Sequence, residues 1–416
     1  MPQVRAYLDH NATTPMRPSV VEAMTHALQH LNGNPSSVHK EGRLARAAID
    51  HARKALAFAV GAEPKHVIFT SGATEALNTL LRPSPAVTSR SGAKVTHTLL
   101  LLATEHSASL AGGGFDADQI VTIPVDGQGI ISLTWLEDKL ASLAAADGFA
   151  AVTVAVQLAN SETGVIQPVH AVSRLTDRFG ALLVCDGVAA FGKIPVKIAD
   201  LNADAIVISA HKFGGPKGVG AIILNGDTLQ LQQPLLRGGG QEMRLRSGTE
   251  NVPAIVGMGA AVTECTQAAN TENDRIRSLR DQLARELTVI RPDIVVFGVN
   301  APRLPNTLSI AIPGVKAETS LINFDLGGVA VSSGSACSSG KVKRSHVLDA
   351  MDVAPELSEC ALRFSLGWDS TEADVAKTVS VFSKLMGSGI GGYRATGAET
   401  RETVANAAKQ RQGIAA

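Results

Sequence analysis

Aromatic residues make up only 4% of this 416-residue chain, cysteine occurs four times, and the charges cancel, 38 basic against 38 acidic. The last two exclude something. Cys185, Cys265, Cys337 and Cys360 lie far apart and form no CxxC or Cys/His spacing, which argues against a zinc site or a disulfide framework. Zero net charge without a Lys/Arg-rich block argues against nucleic acid or an anionic membrane as the main partner. The chain has no run of about 18 apolar residues, so no transmembrane helix is expected, and the opening MPQVRAYLDH has no apolar stretch of the signal-peptide kind. A cytoplasmic location is the resulting expectation. What the chain does have is a hydrophobic fraction of 45% and length enough for about two to three domains with a sizeable core.

Between residues 66 and 225 one event repeats: a short, nearly unbroken apolar run, a polar cluster, then a segment of helical character. The runs are VIFT (67–70), TLLLLA (98–103), IVTIPV (120–125), AVTVAVQLA (151–159), ALLVCD (181–186), AIVISA (205–210) and VGAIIL (219–224). Unbroken rather than alternating runs predict strands buried on both faces, hence an α/β domain with a seven-stranded, mainly parallel sheet covered by helices. SGATE (71–75), TEH (104–106), NSETG (160–164), DG (186–187) and AHK (210–212) follow five of these runs. In open α/β sheets ligands bind outside the carboxyl ends of the strands, so the five clusters are expected to converge.

The remainder reads differently. Residues 268–290 carry apolar positions at helical spacing with charges between them, a long surface or connecting helix. NTLSIAI (306–312), GVAVSS (328–333) and LRFSLG (362–367) are shorter strand-like pieces of a smaller α+β domain. The expected division is 15–255 for the large domain, 1–14 and 256–386 for the small one, and a Gly/Ala/Thr/Gln-rich, disordered tail over 387–416.

SGATE puts a Gly-rich turn between a strand and a helix N-terminus, where unpaired N–H groups and the helix dipole favour an anion. Taken singly, that turn is a common plain turn, Asp186 reads equally as a helix cap, and His106 as a structural histidine. Lys212, in SAHKFGGPKG directly after a buried strand, is different, because an ammonium beside a desolvated crevice becomes a nucleophilic amine. Together these groups fit pyridoxal 5'-phosphate: phosphate on the turn, Asp on the pyridine nitrogen, Lys as Schiff base.

At this point the chain resembles a known family. YLDHNATTP (7–15), GNPSSVH (33–39), FTSGATEA (69–76), TEH, SAHKFGGPKG (209–218), RGGGQE (237–242), RSGTENV (246–252), SSGSAC (332–337) and RFSLG (363–367) are similar, in order, to motifs of the NifS/IscS-type cysteine desulfurases. These are dimeric fold-type-I pyridoxal-phosphate enzymes related to class-V aminotransferases. The resemblance implies Lys212 as the cofactor-bearing lysine, Asp186 on the pyridine nitrogen and His106 on the ring, with Ala73, Thr74, Ser209 and His211 at the phosphate. It implies Thr249 reaching the cofactor of the partner copy in a homodimer, Asn160 near cofactor and substrate, and Asn34 and Arg363 on the substrate, Arg363 through its planar fork of donors to a carboxylate.

Cys337 stands among serines and glycines, and the resemblance gives this lone thiol a task. It attacks the sulfur of L-cysteine, giving L-alanine and a persulfide for a sulfur-acceptor or scaffold protein of iron–sulfur, tRNA or cofactor assembly. Small neighbours would allow it to enter and leave a crevice. The length of SSGSACSSGKVKRSHVL (332–348) is similar to the long-loop group. Two positions depart from the family: Ala189 stands where Gln is usual, and Ser161 where a second Asn is usual. If both amides serve the cofactor's phenolic oxygen, each lost hydrogen bond weakens that support by roughly 1.5–3 kcal/mol. A weakly active homologue serving as an assembly scaffold, or a selenocysteine lyase-like enzyme, is the alternative reading.

Overall fold

The computed structural model describes residues 5–83, 85–88, 92–95, 97–147, 152–227, 229–230, 234–334 and 344–387. Cys337 and the tail beyond Gly387 lie outside them. Seven strands form the central sheet: β1 (Val67–Thr70), β2 (Thr98–Leu102), β3 (Ile120–Ile123), β4 (Val152–Gln157), β5 (Leu182–Asp186), β6 (Ala205–Ser209) and β7 (Gly220–Leu224). Their spatial order is β1-β7-β6-β5-β4-β2-β3. Strands β2 to β6 pair in parallel, and β7 alone runs antiparallel to both β6 and β1.

Every residue of β1, β4, β5, β6 and β7 is buried. This explains the unbroken apolar runs, because successive side chains enter opposite faces that are both covered. Leu183, Cys185, Ile206 and Ile208 enter one core with helices α1 (Pro18–His30), α2 (Lys40–Val60) and α4 (Val252–Gln267). Leu182, Val184, Ala205 and Val207 enter the other with α3 (Ala73–Leu80).

A second, antiparallel sheet has the order β8-β9-β11-β10, with β8 Val295–Val296, β9 Thr307–Ala311, β10 Ser332–Ser333 and β11 Ala361–Ser365. Its core joins Leu308, Ile310, Leu362 and Phe364 to Ile276, Leu279, Leu283 and Leu287 of α5 (Ala269–Ile290) and to Val375 and Phe382 of α6 (Glu372–Gly387). So α5 buries a full stripe and is no mere surface connector. The boundary expected at 255 falls inside α4, whose Val252, Ile255, Met258, Val262 and Cys265 belong to the first core. The piece read as one strand, GVAVSS, is two: Val329–Ala330 runs parallel to Ala6–Tyr7, and β10 pairs with β11. A further small sheet of Pro85–Thr88, Gly92–Val95 and Leu229–Gln230 has no counterpart in the sequence reading.

Candidate active site

A cavity of about 570 Å³ lies at the carboxyl ends of β1, β2, β4, β5 and β6. The parallel register sets Gln157 opposite Asp186 and Asp186 opposite Val207, so the polar residues that end these strands reach similar depth. Of the residues singled out from the sequence, Ala73, Thr74, His106, Asp186, Ser209, His211 and Lys212 line this cavity, as do Ser161 and Ala189 at the two departures.

One end suits an anion. Helix α3 starts at Gly72 with no side chain capping its first amides, and Gly72, Ala73 and Thr74 face the cavity. Lys212 and Lys217 line the same space. Burial, reinforced by Lys212 and Lys217, lowers the His211 pKa to about 4. His211 is therefore neutral here, with Nδ1 3.2 Å from Thr13 Oγ1.

The other end suits a cation. Asp186 Oδ1 accepts from the Val188 amide at 2.8 Å, yet burial raises its pKa to about 6 even with Lys212 pulling it down. A buried carboxylate in that condition gains from a positive group brought to it. Below it, burial and the neighbouring Asp186 push Glu105 well above the usual carboxylate range. Between the two ends, His106 caps the short helix Ser107–Leu110 by accepting from the Ala108 amide at Nδ1, 3.1 Å. Burial, then Lys212 and His346, lower its pKa, so the ring is neutral and its proton sits on Nε2.

Lys212 Nζ donates to the carbonyls of Asn11 and Ala12, at 2.5 and 3.1 Å. Asn11 ties that segment to both sheets. Its Nδ2 donates to Ser161 O and Thr307 Oγ1, its amide donates to Ser365 Oγ, and its Oδ1 accepts from Asn306. Arg363, on β11 and 3% exposed, donates to Asp9 Oδ1 at 2.7 Å and to Ser161 O at 3.2 Å. Its guanidinium thus stands behind the Ser161 wall of the cavity.

Arg363 is not among the residues lining the cavity, and three further expected residues sit elsewhere in this single chain. Asn160 is buried and occupied locally: its Oδ1 accepts from the amides of Glu162 and Thr163, and its Nδ2 donates to Thr104 O. That turn also explains the glycine of NSETG. Gly164 has φ +78°, and a Cβ there would lie 2.8 Å from Thr307 Cβ. Asn34 is exposed, its Oδ1 accepting from the Ser36 amide. Thr249 is exposed beside Glu242 and Arg246, outside this cavity. Sequence reasoning missed Asn11, Gln157, Glu105 and Glu162. Asn11 and Glu162 lie within quoted motifs, but their partners, Thr307 and Ser345, are 296 and 183 residues away.

This architecture, with a lysine after β6 and an aspartate at the end of β5 around one cavity, agrees with the comparisons. The aminotransferase class-V family model matches residues 6–378, and the chain belongs to that family. Among curated proteins, it is 38% identical over 385 residues to cysteine desulfurase IscS of Dictyoglomus turgidum, covering 91% of this chain and 94% of the relative. It is 36% identical to the IscS-like cysteine desulfurase of Mycobacterium tuberculosis, covering 90% and 95%. Among solved structures, a NifS-like protein from Rickettsia africae superposes with a TM-score of 0.81 at 33% identity, over 92% of this chain and 99% of that one. Among the described residues no helix is long and apolar enough to cross a membrane, and no cluster of His, Cys, Asp and Glu could hold a metal ion.

Proposed function

We infer that this chain is a cysteine desulfurase that takes sulfur from L-cysteine and leaves L-alanine. The observation that carries the reading is the cavity itself, which joins an uncapped helix N-terminus, a buried Asp186 in want of a cation, and Lys212. Those ends match pyridoxal 5'-phosphate: the phosphate to the amides of Ala73 and Thr74 with Ser209 and His211, and the pyridine nitrogen to Asp186. When bound, that group supplies an electron sink for the substrate's α carbon.

The chain's own residues do the rest. Lys212 carries the cofactor, and its amine moves the proton at the substrate's α carbon. His106, neutral and fixed in one tautomer by the Ala108 amide, presents Nε2–H to the ring. Arg363 receives the substrate carboxylate at the Ser161 wall. The thiolate of Cys337 attacks the substrate sulfur and the Cβ–S bond breaks. Its electron pair stays with carbon, which takes a proton, leaving alanine and a persulfide on Cys337.

The other three cysteines support that choice. Cys185, Cys265 and Cys360 are buried; burial pushes the Cys185 thiol well up and that of Cys265 to about 12. Such thiols are poor nucleophiles at neutral pH. The persulfide then passes to an acceptor protein of iron–sulfur assembly, and exposed Thr249 serves the partner copy's cofactor in a homodimer. Borohydride reduction tests the lysine: purified protein should be yellow, bleach, and carry the label at Lys212. A reducible cofactor adduct to protein surviving in Lys212→Ala would refute the assignment.

A further inference from the structure

Glu162 has no part in the chemistry above and does not line the cavity, although it directly follows Ser161, which does, and its side chain is almost fully buried. Its Oε2 accepts a 2.6 Å hydrogen bond from Ser345 Oγ. The same oxygen lies 2.7 Å from where a Cβ on Gly334 would stand, and that Cβ would lie 3.4 Å from Ser345 Cβ. Gly334 is the last described residue before 335–343, and Ser345 is the second after it. The two stems of the segment that contains Cys337 therefore meet against one carboxyl group.

Each party is also fixed from behind. The amide of Glu162 donates to Asn160 Oδ1 at 2.8 Å. Gly334 continues β10, where Ser332 pairs with Arg363 and Ser333 with Leu362. Ser345 Oγ, while donating to Glu162, accepts from the Leu348 amide at 3.1 Å and so caps the helix His346–Ala350. The next residue, His346, points Nε2 at the Glu105 carbonyl, 2.9 Å away, beside His106.

We propose that Glu162 is a positioning residue for sulfur transfer, joining both stems of the Cys337 segment to the β4 loop at the cavity wall. The proposal rests on the reading of Cys337 as the sulfur acceptor. Holding Gly334 and Ser345 together fixes the two points between which Cys337 is tethered, and a tethered thiol has a higher effective concentration at the substrate than an untethered one. Because Glu162 does not line the cavity, its loss should affect the step that needs Cys337 and no other.

The test uses holoenzyme with L-cysteine and a reductant, in wild type, Glu162→Ala, Ser345→Ala, Ser345→Thr, Gly334→Ala and Cys337→Ala. The bound-cofactor spectrum, its change on adding substrate, and KM should be unaltered in the Glu162, Ser345 and Gly334 variants. Alanine-forming kcat should fall about ten- to a hundredfold in Glu162→Ala and Ser345→Ala, the range expected when a buried hydrogen-bonding group is left without its partner. The double variant should be no slower than either single one, because both remove the same contact. Ser345→Thr, which keeps the hydroxyl, should restore kcat, and Gly334→Ala, which pushes a methyl onto the carboxyl, should lower it. If Cys337→Ala is inactive but Glu162→Ala and Ser345→Ala keep wild-type kcat, or lose it along with KM and the cofactor spectrum, the positioning role is wrong. If Cys337→Ala retains activity, the reading of Cys337 falls and this inference falls with it.

Discussion

At the scale of residues, the site is an exercise in where burial leaves charge. Asp186, Glu105 and Glu162 are all driven toward their neutral forms by desolvation, while His106 and His211 are held neutral by burial and nearby lysines. Glu162 gives the sharpest pH prediction, because burial raises its pKa from 4.5 to about 7 against the pull of Ser345 and Arg363. Below pH 4.5 the carboxyl is neutral folded and unfolded, and its stabilising preference for the folded state is fully present. As pH rises from there to about 7 the unfolded chain releases the proton first, so that contribution is lost. Each unit of difference is worth about 1.4 kcal/mol, so Glu162→Gln should flatten the fall in unfolding free energy across this window by about 3 kcal/mol at most. Denaturant titrations at several pH values check this, and identical slopes in both proteins would contradict it. The convergence of Lys212, Asp186 and His106 on one cavity was legible in the sequence because each stands at or just beyond the end of a buried strand. Glu162 was not, since its Ser345 and Gly334 contacts are made only after the second sheet folds against the β4 loop.

At the scale of elements, one strained turn stands out. Glu242, Met243 and Arg244 all have positive φ, 45°, 56° and 68°, a conformation that costs non-glycine residues of order 1–3 kcal/mol each. A buried ion pair holds the turn: Arg53 of α2 donates to both carboxylate oxygens of Glu242 at 2.8 and 2.7 Å, and the Phe69 amide of β1 donates to Oε2. Removing Glu242 leaves the buried Arg53 without its main counter-charge, with only the half-exposed Asp50 carboxylate at 3.9 Å and the Val67 carbonyl as partners, so Glu242→Ala should destabilise the fold by about 3–5 kcal/mol. The turn leads on to Thr249, so cofactor retention should also weaken if that residue serves a partner copy. Thermal unfolding with and without added cofactor measures both, and a loss below about 1 kcal/mol, the scale of an exposed pair, would show that the pair does not hold the turn. RGGGQE was legible as a motif, but the left-handed run was not, because neither Met nor Arg signals positive φ. The seven apolar runs gave strands ending within a few residues of those expected, since burial on both faces writes itself directly into composition. Helix α4 escaped notice for the complementary reason. A helix apolar on most sides carries no amphipathic period, and burial of Val252, Met258 and Val262 among α1 and α2 explains that composition.

At the scale of the whole molecule, the two sheets meet along the N-terminal segment. Leu8 lies in the core of the smaller sheet, while Asn11 bonds to Ser161, Thr307 and Ser365 and supplies one of the carbonyls that receive Lys212. That segment and the Glu162 junction are two routes by which the smaller sheet, with Arg363 and the stems of the Cys337 segment, is registered against the cavity of the larger one. A larger, mainly parallel sheet followed by a smaller one was legible in the sequence, but their seam was not, because α4 and α5 are separated by a single residue, Ala268. The claim on which the account turns is that this registration delivers sulfur from L-cysteine to Cys337. The most direct measurement is a single turnover of holoenzyme with L-cysteine and no reductant, quantifying alanine and mapping persulfide by mass spectrometry. The account predicts alanine equimolar with persulfide on Cys337, none on Cys185, Cys265 or Cys360, and neither product's accumulation in Cys337→Ser. Persulfide on one of the buried cysteines, or alanine formed at the wild-type rate by Cys337→Ser, would contradict it.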